Sequence, residues 1–139
     1  MKRSSEFYLS YEESRVLART ICMFITCPTY YSRVGQRMRK NNLDKLAEYH
    51  SYIHEVLDAT KGKHPDKFLP DKPPSIEGWQ LAVQLKISRR ILQLVLHAFE
   101  MTFLEGKYDN NYELEVVIGF PYEKVRCCHE KLKQQAEQK

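Results

Sequence analysis

From Trp79 to Ile87 the chain alternates between apolar and polar residues, and at Ser88 the period changes. Trp79, Leu81, Val83, Leu85 and Ile87 are apolar, Gln80, Gln84 and Lys86 between them are polar, and Ala82 is small. A two-residue period belongs to a strand with one buried face. From Ser88 to Leu104 the apolar residues crowd at helical spacing, so this stretch reads as strand 79–87 followed by helix 89–105. A shorter copy opens the chain, with Phe7-Tyr8-Leu9, then Ser10, then a helical pattern. The switch predicts an α+β fold: a helix-dominated, small single domain with a short antiparallel sheet, whose outline suggests two pseudo-repeated halves.

Punctuation along the chain sets the expected elements. Ser10-Tyr11-Glu12-Glu13 has the form of a capping box, in which Ser10 accepts from the Glu13 amide and Glu13 reaches back. The helix it opens covers 11–26 and stops at Pro28, because the residue before a proline is pushed out of helical conformation. Asn42 is placed to cap a second helix, with Leu43, Leu46, His50, Ile53 and Leu57 on one stripe and Gly62 as its C-terminal stop. Residues 63–75 hold four of the six prolines and read as an extended connector between sub-halves 1–62 and 76–139. Further along, a turn over 106–111, a strand over 112–118 and a helix over 121–135 complete the expectation, with a frayed end after Lys133. Val34-Gly35 and Ile118-Gly119 are the landmarks that would align the later parts of the two halves.

Length and charge bound the function classes. At 139 residues a single domain buries roughly two-thirds of its unfolded surface. The net charge of +4 is spread almost evenly: nine basic and seven acidic residues over 1–60, four and three over 61–78, nine and eight over 79–139. That balance gives no electrostatic footprint for a polyanion. The start lacks an apolar run, and the most apolar stretch, 91–104, is too short and too polar to span a bilayer. Four cysteines without a secretion signal suggest a reducing compartment, so a cytoplasmic protein is expected, with no membrane association.

Chemistry-bearing residues are few. His50 and His54 stand four apart, the spacing that lets two imidazoles meet one zinc ion; Glu55 or Asp58 would have to supply a third ligand. The glutamate of a metalloprotease helix is missing, and His50 also suits the packing stripe, so no metal and no cofactor are expected. Cys127-Cys128-His129 reads as one core thiol, Cys128, beside one half-exposed thiol. Gln93, His97 and Glu100 form a polar stripe that reads as the edge of a buried helix rather than an acid–base pair. No phosphate-cradling glycine loop, nucleophile elbow or dinucleotide fingerprint is present.

The densest basic and aromatic cluster is Tyr30, Tyr31, Arg33, Arg37, Arg39 and Lys40. Arginine and tyrosine are enriched where proteins bind one another. The expectation is therefore a non-catalytic module that docks on a partner protein through this cluster. In size and composition it resembles a small bacterial or phage accessory factor of the immunity, antitoxin or anti-defence inhibitor kind. The competing expectation is a small nucleic-acid-binding protein using the same residues for phosphate contact and base stacking. An exposed strand edge makes a homodimer a further expectation.

Overall fold

Two serines mark where strand becomes helix. The computed structural model describes residues 4–26, 40–103 and 119–137. Strand β1 (Ser4–Ser10) runs into helix α1 (Tyr11–Thr26), and strand β2 (Ala82–Ser88) runs into helix α4 (Arg89–Phe103). At the first junction the capping box is complete: the Glu13 amide donates to Ser10 Oγ at 3.0 Å and the Ser10 amide donates to Glu13 Oε1 at 2.9 Å. At the second, the Ile91 amide donates to Ser88 Oγ at 3.2 Å, and the residue three after the cap has no side chain to return the bond.

β1 and β2 pair antiparallel from Ser4↔Ser88 to Ser10↔Ala82. Phe7, Leu9, Val83, Leu85 and Ile87 point inward, while Glu6, Tyr8, Gln84 and Lys86 face solvent. The helices cover the inner face: α1, α2 (Lys40–Lys63), α4 and α5 (Tyr122–Glu137) pack on it and on one another. Leu17, Ile21, Leu46, Ile53, Val95, Phe99, Val125 and Leu132 form the centre of one continuous core. The domain is thus α+β and helix-dominated, with a two-stranded antiparallel sheet among the described residues. No described helix is long and apolar enough to cross a membrane.

The strand ladder carries a symmetry. Adding 78 to each β1 number (88 minus 10) moves Ser10 onto Ser88 and turns the pair Ser4↔Ser88 into Ala82↔Ser10, so the ladder maps onto itself with Phe7↔Leu85 at the centre. The same shift overlays buried positions of α1 and α4: Leu17 on Val95, Thr20 on Ala98, Ile21 on Phe99. A shift of 79 then overlays the buried stripe Leu46, Tyr49, Ile53 of α2 on Val125, Cys128, Leu132 of α5. The landmarks at Gly35 and Gly119 differ by 84 and do not fit between these two shifts.

Several boundaries differ from the sequence reading. Trp79 and Gln80 belong to a short helix α3 (Ile76–Gln80), not to the strand. Ser75 caps that turn, accepting from the Gly78 amide at 3.0 Å, and the Trp79 amide donates to the Ser75 carbonyl at 2.9 Å. Leu81 still extends the sheet edge, because the Tyr11 amide donates to its carbonyl at 2.8 Å. α2 begins at Lys40 rather than after Asn42, which instead accepts from Arg90 on α4 at 2.8 Å. Gly62 lies inside α2 without a positive φ, so the helix runs one residue past it. α5 continues to Glu137 because Ala136 packs against the core and anchors the last turn. The turn at 106–111 and the strand at 112–118 lie outside the described residues.

Candidate functional site

One face of α1 carries Glu12, Arg15, Arg19 and Cys22, spaced by three and four. That face looks across an open cleft of about 680 Å³ to His50, His54 and Leu57 on α2. Trp79 of α3 and the segment Gly119-Phe120-Pro121 close its ends. Each wall has a local cause. The connector is tied back by the Ser75 amide, which donates to the Lys67 carbonyl at 3.1 Å. Gly78 is buried there, and a Cβ on it would sit 3.0 Å from that same carbonyl oxygen, so a larger residue would have to push the connector back from the turn that seats Trp79. Gly119 has φ +85, a left-handed turn that brings Phe120 in before α5 starts at Tyr122.

The aromatic wall is continuous. Trp79 and Phe120 meet edge to face with centroids 6.0 Å apart, Trp79 touches Tyr11 at 5.9 Å, and Tyr11 touches Phe68 at 4.6 Å. Over the Trp79 ring lies the Arg15 guanidinium, 5.8 Å from the centroid. No carboxylate stands within ion-pair distance of Arg15 among the described residues. Glu12 on the same wall pairs outward with Lys124 at 3.3 Å. Arg15 and Trp79 also border a second cleft of about 500 Å³, where Lys61 and Lys72 face Phe68 and Leu69. The two clefts adjoin at the arginine–tryptophan pair, which lines both parts of this groove.

His50 and His54 meet within this groove. Their Nε2 atoms are 3.2 Å apart, and the rings make an edge contact with centroids 4.5 Å apart. Burial, and after it the neighbouring His54 charge, hold the His50 pKa below the ordinary histidine value. Among the described residues no group of three or more ligand side chains is assembled.

The remaining sequence candidates fall as follows. Tyr30, Tyr31, Arg33, Arg37 and Arg39 lie outside the described residues, and Lys40 is the first residue of α2. Cys128 is buried and donates its S–H to the Glu13 carbonyl at 3.4 Å; burial, then the Glu13 charge, push its pKa up, so it is an inert thiol. Cys127 is exposed. His97 sits edge-on to Phe24 of α1, with centroids 6.4 Å apart, while Gln93 and Glu100 are exposed. Arg15, Arg19, Trp79 and Phe120 were not singled out by sequence. The one signal for them was the spacing of Arg15 and Arg19 on α1, which places two cations on one face.

Comparison with protein-family models, with curated proteins and with solved structures finds no match.

Proposed function

We propose that this chain is a non-catalytic protein-binding module whose groove docks an acidic, partly apolar segment of a partner protein. The observation that carries the reading is Arg15, a guanidinium held on the Trp79 face at the junction of two clefts with no described carboxylate to satisfy it. Such a pair offers a planar fork for a carboxylate on a rigid aromatic floor, the combination that dominates protein interface energetics.

A protein suits the groove better than a nucleic acid does, because its second cleft is lined in part by Phe68, Leu69 and three prolines. Leu69 among them is 50% exposed. Aliphatic side chains gain by burial against apolar residues, whereas a phosphate backbone gives them nothing.

The test is co-purification from the native host with the wild-type chain, Arg15→Glu and Trp79→Ala, each checked for folding by its urea midpoint. The expected result is a discrete protein partner retained by the wild type and lost from both variants, with retention that tolerates salt. An Arg37→Glu, Arg39→Glu variant that keeps the partner would separate the groove from the basic–aromatic run at 30–40. Capture of nucleic acid with a steep loss on adding salt would overturn the reading.

A further inference from the structure

We propose that His50 and His54 together are a second carboxylate receptor in the groove, and that the pair takes up one proton as the acidic segment of the partner binds. The proposal deepens the docking reading and rests on it: Arg15 receives one carboxylate, and the imidazole pair across the cleft receives another. Imidazoles four apart on a helix share a face, and this pair sits in the middle of α2, on the wall opposite Arg15 and Arg19. His50 is half-buried beside Leu46, Ile53 and Leu57, which seats its ring, while His54 is exposed.

The contact between the rings defines the empty state. The two Nε2 atoms stand 3.2 Å apart, so one imidazole donates its Nε2–H and the other accepts with its lone pair. A neutral pair is therefore satisfied within itself and offers the cleft no charge. One proton taken from solvent leaves that bridge in place. It goes to the single Nδ1 that still has a lone pair, on the donating ring, and makes that ring an imidazolium. The pair then carries one positive charge and one new N–H donor, and a carboxylate of the docked segment meets both.

The charges around the pair decide how it responds. Arg15 and Arg19 bring positive charge from α1, Cys22 brings a thiol, and Glu12 is paired with Lys124 of α5 at 3.3 Å. Trp79 and the segment Gly119-Phe120-Pro121 bring no charge. On α2 itself, Asp58 follows His54 by four residues. Burial, and after it the His54 charge, keep His50 neutral near pH 7. An opposite charge placed beside the pair favours its protonated form. By reciprocity, protonation strengthens carboxylate binding by the same factor. The second half carries no such pair: by the shift of 79 the counterparts are His129, which lies flat on Phe99 with centroids 5.4 Å apart, and Lys133.

The experiment titrates the full chain with tetraglutamate at pH 5.5, 6.5 and 7.5 and fixed ionic strength, read by Trp79 fluorescence. Glutamate side chains stay mostly ionised down to pH 5.5, so a change in affinity belongs to the protein. The variants are His54→Gln, His64→Gln and Arg15→Gln, each checked for folding by circular dichroism at pH 5.5. His54 is exposed and glutamine is a good helix former, so that variant keeps its fold. The expected result is a wild-type affinity that rises at least about fivefold from pH 7.5 to 5.5, the low end of couplings between sites. His54→Gln should remove most of the rise and His64→Gln should keep it. Affinity that ignores pH, no binding at pH 5.5, or a rise that His54→Gln leaves intact would overturn the proposal; so would a rise that His64→Gln removes equally, which would make it an effect of net charge. Arg15→Gln separates the two readings. Binding that it weakens but pH leaves unchanged overturns the receptor alone, whereas a pH-dependent rise at an affinity that Arg15→Gln does not alter overturns the role given to Arg15.

Discussion

Glu13 is the side chain on which most of the first junction turns. It is nearly buried, and burial pushes its carboxyl pKa up; the Lys131 ammonium at 2.9 Å and the two bonds with Ser10 outweigh that and hold it below the ordinary carboxylate value. Its carbonyl meanwhile accepts from Cys128, so one residue ties the start of α1 to α5. Removing the cap partner by Ser10→Ala should cost about 1 kcal/mol. Glu13→Ala should cost more, about 2 kcal/mol, because the Ser10 amide loses its acceptor in a nearly buried setting. Glu13→Gln keeps that acceptor and should fall between wild type and Glu13→Ala. Lys131 is 51% exposed, and an ion pair with one wet end is worth under about 1 kcal/mol. Urea midpoints of the four single variants check the order: if Lys131→Ala costs as much as Glu13→Ala, the ion pair and not the capping box stabilises the junction.

At the scale of elements, glycine shows how context decides the sign of one substitution. Gly62 lies within α2 with open space around its Cβ position, so Gly62→Ala should stabilise by up to about 1 kcal/mol through helix propensity. Gly78 meets backbone at 3.0 Å, so Gly78→Ala should destabilise by roughly 1–2 kcal/mol as the connector is pushed off α3. The checks are the two urea midpoints and, for Gly78, a shift in Trp79 fluorescence, since Trp79 is the only tryptophan. This contrast also explains what the sequence reveals and what it hides. Helix α1 is legible at its start because its signal is local: the capping box at Ser10 and Glu13. The start of β2 is not, because Trp79 and Leu81 fall into strand alternation by accident, and only the Ser75 cap and the Lys67 carbonyl show the turn. The site follows the same division. His50 and His54 are legible because their spacing lies on one helix. The groove is not, because Arg15, His50, Trp79 and Phe120 come from four separate places in the chain, and periodicity names a buried face without naming what stands opposite.

Taken whole, the molecule is two strand–helix units closed around a shared ladder, and the ionisable groups trapped between them set how its stability responds to pH. On the acid side, His50 and His129 both titrate below the ordinary histidine value: burial is the main cause in each, reinforced by the charge of His54 on His50 and of Lys133 on His129. Below about pH 6.5 the unfolded chain therefore binds protons that the folded chain refuses, and stability falls as pH falls. Glu13, with its pKa lowered, adds a second loss as pH drops through and below the ordinary carboxylate range. On the alkaline side the sign reverses. Cys128 and Tyr49 have raised pKa values, chiefly from burial, so the folded chain keeps protons that the unfolded chain gives up above pH 9 and 10 respectively. Stability should then form a plateau between about pH 7 and 9 and decline on both flanks. Denaturation with urea across pH 4 to 11, in buffer stripped of metal, measures this profile. Cys128→Ala should flatten the first part of the alkaline decline even as it lowers the plateau, because the cavity costs stability at every pH while the thiol costs it only above its unfolded pKa. His129→Gln should flatten the limb just below pH 6.5 and leave the Glu13 limb in place. A profile whose two flanks ignore both substitutions would mean that Cys128 and His129 exchange protons with solvent as freely in the folded chain as in the unfolded one, and would overturn this account.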